Sequence, residues 1–191
     1  MMKDVIEIRW HGRGGQGVVT AGKLLAETAL GTGQYFQAFP DFGPERMGAP
    51  VRSFTRLSSR PIALHSQIEA PDVVLVLDPT LLGTVAVTEG LKEDGILLIN
   101  TSMSPQEVRR ITGYSSGKVF TVDASRIAIE EIGRDITNTP MLGAFARATG
   151  LFESQALIEQ VRQWFGHKVS PQVVEANIRA MRRAAEEMQE G

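Results

Sequence analysis

Apolar residues occur along the chain in short runs that are typical of β-strands. Three of these runs are almost continuously apolar, as expected of parallel strands that are covered on both faces; they are "DVVLVLD" (72–78), "GILLIN" (95–100) and "KVFTVDA" (118–124). Three further runs predict strands at 5–10, 35–40 and 50–57. The last of these alternates apolar and polar residues without indicating which face is buried.

Helical spacing and capping residues lie between these runs. Apolar residues within 18–30 recur at intervals of three and four, and the predicted helix ends near Gly31 and Gly33. Capping side chains and proline at the first helical position indicate two further helix starts, at Asp78–Pro79 and at the capping box Ser104–Pro105–Glu107. Another helix is predicted over 125–133, after the strand at 118–124.

From residue 138 onward the pattern is helical. Thr139 is expected to cap a helix that ends at Gly150, and Ser154 to cap a helix that ends at Gly166. The last helix opens at Ser170 and Pro171, and its apolar seam consists of Val174, Ile178, Met181, Ala185 and Met188. We expect this seam to pack on the same domain or on a neighbouring chain, because its side chains would otherwise stay in water.

Strands that alternate with helices predict a three-layer, Rossmann-like α/β fold with a mostly parallel sheet. The short connection between 35–40 and 50–57 predicts one antiparallel pair, and a helical part closes the chain. We expect a single domain over residues 1–191, with an α/β core at about 5–137 and C-terminal helices at about 138–191.

Composition excludes several classes of function. The formal net charge is −2 and no basic block occurs, so nothing indicates nucleic-acid binding. The chain has no cysteine, which excludes disulfides and thiolate-bound iron–sulfur clusters, and its three histidines lack metal-ligand spacing. No signal peptide or apolar segment of membrane-spanning length is present, so we expect a cytoplasmic protein that contacts no membrane.

A glycine-rich loop follows the first predicted strand and is the main candidate for chemistry. Its residues are His11, Gly12, Arg13, Gly14, Gly15, Gln16 and Gly17, and the glycines at 12, 14 and 17 fit the dinucleotide pattern G-x-G-x-x-G. Backbone amides before a helix suit an anion, whereas the bulky Arg13 and Gln16 do not suit close approach of a pyrophosphate. Dinucleotide binding and a purely structural turn both remain open.

Polar side chains at other strand ends offer weaker candidates. Asp41 lies where a nicotinamide-binding fold places its ribose-binding acid. Asp78 and Asp123 are expected to cap helices, Asn100 to close a turn, and His11 to hydrogen-bond the backbone unless it acts as an acid or base. Nucleophile elbows, thiamine diphosphate motifs and H-E-x-x-H metal sites are absent from the sequence, so we expect no catalytic residue in this chain.

Four segments together identify a family resemblance. The segments "IRWHGRGGQGVVTAGKLLAETAL", "QAFPDFGPERMGAPVRSF", "PDVVLVLDPTLL" and "NTPMLGAFARATGL" resemble, in order and spacing, the gamma subunit of 2-oxoacid:ferredoxin oxidoreductases. The resemblance covers nearly the whole chain. The form "ERMGAPVRSF" resembles the pyruvate and branched-chain enzymes more than the 2-oxoglutarate type.

The resemblance implies a role within a larger enzyme. Such complexes decarboxylate a 2-oxoacid oxidatively to an acyl-CoA and reduce ferredoxin. Thiamine diphosphate with Mg²⁺ is held by alpha and beta subunits and the iron–sulfur clusters by beta and delta subunits, while the gamma subunit binds none of them alone. The glycine loop is then expected to face the cofactor-bearing partners, close to coenzyme A or the diphosphate.

The segment at residues 41–50 is predicted to be an assembly surface, because it is too long and too rich in glycine and proline for a minimal hairpin turn. The segment combines apolar Phe42 and Met47 with charged Glu45 and Arg46, which resembles an interface core and rim. Asn138, from the motif N-x-x-MLGA, is a further interface candidate. The alternative is that Phe42 and Met47 fold back on their own sheet. For the chain as a whole, the alternatives are a free-standing NAD(P)-dependent oxidoreductase and a scaffold without redox function.

Overall fold

The computed structural model describes residues 5–41, 48–64 and 66–191. The strands are β1 (Val5–Arg13), β2 (Tyr35–Pro40), β3 (Pro50–Ser58), β4 (Val73–Val76), β5 (Ile96–Asn100), β6 (Lys118–Val122) and β7 (Gln189–Glu190). The helices are α1 (Val18–Gly31), α2 (Pro105–Thr112), α3 (Ala124–Ile132), α4 (Asn138–Thr149), α5 (Ser154–Phe165) and α6 (Pro171–Glu187). Within these ranges, no helix combines the length and the apolar character that crossing a membrane requires.

All the strands form one sheet in the order β2–β3–β1–β4–β5–β6–β7. The strands β1, β4, β5 and β6 pair in parallel, whereas β3 is antiparallel to both β1 and β2. Since β2 therefore points the same way as β1, only β3 and β7 oppose the common direction. The predicted α/β fold and the predicted antiparallel pair β2–β3 are confirmed. The β1–β3 and β6–β7 ladders are further antiparallel pairs that the sequence pattern did not indicate.

Alternating side chains of the central strands divide the apolar core in two. Val73 and Leu75 face a larger cluster, to which α1, α3, α4, α5 and α6 contribute. Val74 and Val76 face a smaller cluster built from α2 and the segment between β4 and β5. The three layers are therefore five helices, the sheet, and a thinner layer containing α2.

The face of β1 and β3 on the side of the smaller cluster contains buried arginines. Arg56 is 1% exposed and donates through Nε to the Glu7 carboxylate at 2.9 Å. Arg9 is 4% exposed and donates to the carbonyl oxygens of Val87 at 3.0 Å and Glu89 at 2.5 Å. Residues 53–58 of β3 are consequently buried on both faces, which explains why the alternation along this strand did not indicate one inner face.

Several helix starts match the predicted capping residues. Ser104 and Glu107 form the predicted reciprocal capping box at the start of α2. Asp123 caps α3 by accepting a backbone N–H. Asp78 caps in the same way, although the segment that follows it is a 3₁₀ turn over Pro79–Leu81 and not a longer helix.

Two predicted caps are wrong. The helix α4 begins at Asn138, so Thr139 lies inside it, fully buried, and its hydroxyl contacts Asn177 Oδ1 at 2.6 Å. A buried hydroxyl must find a partner, and here α6 provides one. Ser154 is the first residue of α5, whose cap position is Glu153, and no side-chain cap bond forms there.

The apolar seam of the last helix packs on this chain. Val174, Ile178 and Met181 of α6 are buried in the larger cluster. The helix α4 crosses α6 at Gly143, where an added Cβ would overlap the backbone carbonyl oxygen of Met181. The glycine of the MLGA motif is thus explained by the close approach of two helices.

We predict that Gly143→Ala destabilises the fold, because the neighbouring backbone carbonyl cannot rotate away as a flexible side chain could. Overpacking of this kind costs about 1–3 kcal/mol of the free energy of unfolding, measurable by urea denaturation. Gly31→Ala is the matched control: it lies at the end of α1 with nothing near an added Cβ, and it should be neutral or stabilising by about 0.4–1 kcal/mol. Equal free energies of unfolding for the two variants would contradict the conclusion that Gly143 is required by the close approach of α4 and α6.

Candidate functional site

The candidate site lies where β1 and β4 end side by side. From β1 the chain continues to one side of the sheet, where β3 and β2 lie, and from β4 it continues to the other side, where β5 and β6 lie. In open α/β sheets, ligands bind in the crevice outside the carboxyl ends of the strands at such a reversal. The two segments that meet here are the glycine loop, residues 11–17, and Asp78–Thr80.

Gln16 joins these two segments. Its side-chain oxygen accepts the backbone N–H of Arg13 at 2.7 Å, and its Nε2 donates to Asp78 Oδ2 at 2.7 Å. The backbone N–H of Gln16 also donates to the carbonyl oxygen of Arg13 at 3.1 Å. The loop is therefore closed on itself and fixed to the end of β4.

Arg13 makes a second connection across the same crevice. Its Nε and Nη2 donate to the Thr80 hydroxyl at 3.1 and 2.9 Å, and its Nε lies 3.3 Å from Asp78 Oδ2. Its Nη1 donates to the carbonyl oxygen of Gly48 at 3.0 Å. The Arg13 side chain is 32% exposed. We refer to Arg13, Gln16, Asp78 and Thr80 as the crevice clamp.

The carboxylate of Asp78 is the negative centre of the crevice clamp. Desolvation raises its pKa, but the hydrogen bonds from the side chain and backbone of Thr80, the bond from Gln16 and the charge of Arg13 outweigh this effect. The net result is a pKa below the ordinary value of 3.8. Asp78 is therefore ionised at neutral pH, when Arg13 carries the compensating charge.

Two glycines of the dinucleotide pattern pack against the chain itself. An added Cβ at Gly12 would overlap the Val18 side chain, and one at Gly17 would lie 2.7 Å from Asn138 Nδ2. Gly17 also adopts φ 76°, which a side chain would strain. These glycines allow α1 and α4 to approach the loop closely, so the pattern does not by itself require a bound nucleotide.

Asn138 lies beside the loop and not on an open surface. It is 6% exposed at the start of α4, and its side-chain oxygen accepts the backbone N–H of Thr139 at 2.9 Å. Its amide nitrogen packs over Gly17. In the isolated chain Asn138 thus supports the loop, whereas we expected it to be available at an interface.

His11 lies on β1 and does not project into the crevice as an acid or base. It is 2% exposed, and its Nε2 accepts a hydrogen bond from Arg9 Nε at 3.0 Å. Burial, with the nearby charges of Arg9 and Arg52, lowers its pKa to about 3. We expected a backbone partner for a non-catalytic His11; the partner is the Arg9 side chain.

The remaining polar candidates bind elsewhere within the chain. Asp41 forms an ion pair with Arg52 at 2.6 Å. Because β3 lies between β2 and β1, Asp41 is separated from the glycine loop by two strand spacings, about 10 Å, and is unsuited to hold a ribose there. Asn100 connects the end of β4 with α3 by donating to the Leu77 carbonyl oxygen at 2.8 Å and accepting the N–H of Ser125.

Phe42, Glu45, Arg46 and Met47 lie outside the described residues. Within 5–41, 48–64 and 66–191, no group of three or more His, Asp or Glu side chains is arranged to hold a metal ion.

Sequence reasoning missed Thr80 and Arg9. Thr80 directly follows the predicted helix start at Asp78–Pro79. A hydroxyl two residues after a capping acid could have indicated that Thr80 lies at the site. Arg9 lies between the apolar Ile8 and Trp10 in a predicted strand, and this position could have indicated a buried cation.

The sequence matches the family described as pyruvate ferredoxin/flavodoxin oxidoreductase over residues 7–187. It is 50% identical to the pyruvate synthase subunit PorC of Thermotoga maritima, over 97% of this chain and 96% of that protein. It is 51% identical to the pyruvate/ketoisovalerate oxidoreductases common subunit gamma of Pyrococcus abyssi, over 97% of this chain and 98% of that protein. The crystal structure of the Thermotoga maritima pyruvate oxidoreductase subunit superposes with a TM-score of 0.88, at 47% identity and 99% coverage of both chains.

The burial of His11 predicts a pH dependence of stability. Its pKa is about 3 in the folded chain against an ordinary 6.5, so between these values the unfolded chain binds one proton more. The free energy of unfolding should therefore fall as pH drops below about 6.5, by up to about 1.4 kcal/mol per pH unit. His11→Gln retains an acceptor for Arg9 but lacks this titration, so its slope should be smaller by that amount.

Urea denaturation between pH 7 and pH 4.5 measures this difference. His167→Gln is the control, because it makes the same replacement at an exposed histidine. Identical slopes for wild type and His11→Gln would show that His11 does not stay neutral in the fold.

Proposed function

This chain belongs to the pyruvate ferredoxin/flavodoxin oxidoreductase family, and we propose that it is the gamma subunit of a multi-subunit 2-oxoacid:ferredoxin oxidoreductase that acts on pyruvate. The observation that carries the proposal is the 50% identity to a pyruvate synthase subunit over nearly the full length of both chains. The whole complex would convert the 2-oxoacid, coenzyme A and oxidised ferredoxin to the acyl-CoA, carbon dioxide and reduced ferredoxin.

The donor chemistry of this chain fits a subunit that does not carry the redox centres. It contains no cysteine and therefore offers no thiolate to an iron–sulfur cluster. Thiamine diphosphate with Mg²⁺ and the iron–sulfur clusters are accordingly assigned to partner subunits of the alpha, beta and delta types. Ferredoxin would interact with the complex through those clusters, and coenzyme A would bind at or beside the gamma subunit.

The crevice clamp is the part of this chain that we place against the cofactor-bearing partners. Arg13 is partly exposed and can offer a guanidinium to an anionic group. Asp78 and Thr80 hold its side chain in position, and Gln16 bonds its backbone N–H. The anion would be a phosphate of coenzyme A or of thiamine diphosphate that reaches the loop from a partner.

The alternative of a free-standing NAD(P)-dependent enzyme has less support. Such an enzyme needs the acid at the end of the second strand beside the glycine loop, and here β3 separates them. A scaffold without redox function has no supporting observation. The relative named as common to pyruvate and ketoisovalerate oxidoreductases makes a branched-chain 2-oxoacid the second candidate substrate.

Residues 41–50 remain our proposed assembly surface. Phe42 and Met47 are the apolar anchors and Glu45 and Arg46 the charged rim. Charge reversal by Arg46→Glu should therefore reduce the yield of intact complex in the co-expression described next.

Co-expression of this chain with its alpha, beta and delta partners tests the proposed function. The full set should yield a complex that reduces a viologen with pyruvate and coenzyme A, and omission of this chain should abolish that activity. The isolated chain should be colourless and inactive, because it offers no cluster ligands. Full pyruvate-dependent activity without this chain would refute the proposal, and higher activity with 2-oxoisovalerate would move the substrate to the branched-chain class.

Arg13→Ala should lower the turnover of the assembled enzyme about tenfold or more, since a charge-assisted contact is worth about 1.5–3 kcal/mol. Arg162→Ala is the control, because Arg162 forms an exposed ion pair with Glu175 on the C-terminal helices. Thr80→Val removes a clamp partner but keeps the guanidinium, so it should reduce turnover less. Unchanged kinetics of Arg13→Ala across titrations of coenzyme A and thiamine diphosphate would leave the loop as a structural turn.

A further inference from the structure

The outer strand β2 has backbone groups that point away from the sheet. It pairs with β3 from Tyr35 opposite Ser58 to Pro40 opposite Ser53, and the next residue, Asp41, donates its N–H to the Arg52 carbonyl oxygen at 3.0 Å. Hydrogen-bonded and non-hydrogen-bonded pairs alternate in an antiparallel ladder. The alternate residues Phe36, Ala38 and Pro40 therefore direct their backbone groups outward.

We call this outward side of residues 35–40 the β2 edge. It offers the N–H and C=O groups of Phe36 and Ala38 and the C=O of Pro40, since proline has no N–H. Among the described residues, no strand pairs with β2 on this side and no backbone group is bonded to Phe36 or Ala38 there. The free donors and acceptors have the spacing of an extended chain.

Exposed aromatic rings flank the β2 edge on both faces of the sheet. Tyr35 is 48% exposed and Phe36 is 36% exposed, and as consecutive strand residues they project to opposite faces. The strand sequence YFQAFP contains no charged residue. Natural edge strands are usually protected by charges, bulges or coverage, and within β2 only Pro40 provides protection of this kind.

The opposite edge of the sheet is protected. Residues 189–190 form β7 and pair with β6, and the Lys118 ammonium group contacts the Glu190 carboxylate at 2.9 Å. The fold therefore covers and charges one edge while the other presents aromatic side chains and free backbone groups. This contrast indicates that the β2 edge is paired in the assembled protein.

We infer that the β2 edge binds an extended segment of a partner subunit, which adds an eighth strand to the sheet. Its backbone donates to and accepts from Phe36 and Ala38, and its apolar side chains pack beside Tyr35 on one face and Phe36 on the other. This inference rests on the proposed function, because it takes the partner from the multi-subunit enzyme. A second copy of this chain fits less well, since Pro40 would remove a donor from each strand of a symmetric β2–β2 pair.

Amide hydrogen exchange of the co-expressed complex tests the inference directly. In the isolated chain the outward amides of Phe36 and Ala38 should exchange as open edge amides, whereas those of Gln37 and Phe39, which bond to β3, should be protected. In the complex the two outward amides should slow by about tenfold or more, as expected for amides that become hydrogen-bonded in a stable ladder.

Two variants test the same contact by association. Ala38→Pro removes one outward N–H without removing any bond to β3, and Tyr35→Lys places a charge at the edge. Both should leave the isolated chain folded and reduce its affinity for the partner subunits by about tenfold or more. Ile129→Lys is the matched control, because Ile129 is an exposed apolar residue on α3 (55%) away from the edge, and it should leave association unchanged. If Ala38→Pro fails to fold, Tyr35→Lys and the exchange measurement still test whether a partner strand binds at the β2 edge.

The outcomes separate this inference from the proposed function. A complex that forms and is active while Phe36 and Ala38 exchange as fast as in the isolated chain overturns the inference alone. Concentration-dependent dimers of the isolated chain with a protected β2 edge also overturn it, in favour of a second copy. Absence of any complex with the wild-type chain refutes the proposed function itself.

Discussion

The parallel pairing of β1 with β4 is the constraint on which the rest of the structure depends. It places Trp10 in the larger apolar cluster and brings the end of β1 beside the end of β4. Because the chain continues from these two strands to opposite sides of the sheet, a gap lies between the segments that follow them. The side chains of Gln16 and Arg13 bridge that gap, so the glycine loop takes its conformation from β4 as much as from its own sequence.

The sequence was sufficient to predict the fold class and most elements, though not β7, because continuous apolar runs and capping residues such as Ser104 depend on local chemistry. It was insufficient where the role of a residue depends on a contact with a residue distant in the chain. Thr139 had the character of a cap, but the buried amide of Asn177 in α6 engages it. The glycines of the loop matched a nucleotide pattern, yet Gly17 is required by contact with Asn138, and no local pattern indicates that contact.

The thinner layer of the fold is held to the sheet partly by buried cations. Arg9 donates to two carbonyl oxygens of the segment between β4 and β5, and Arg56 donates to the carbonyl oxygen of Ser66 at 2.8 Å as well as to Glu7. A guanidinium carries several donors in a fixed plane, so one side chain can satisfy several backbone carbonyls that lack a ladder partner. These irregular segments thereby acquire defined positions without regular secondary structure.

The Thr80 hydroxyl shows that the hydrogen-bonding groups of the crevice can all be occupied by partners within the chain. Its single proton is directed to Asp78 Oδ1 at 2.6 Å, and its oxygen accepts from two nitrogens of Arg13. A hydroxyl has one proton and two lone pairs, so its valence for hydrogen bonding is filled from within the chain. A molecule that enters the crevice must compete with these internal bonds. Otherwise it must bind at the rim, through backbone groups and through Arg13 Nη1, which does not bond Thr80. A crevice whose hydrogen-bonding groups are occupied in this way keeps its shape without a ligand, so the Arg13 side chain is already positioned before any other molecule arrives.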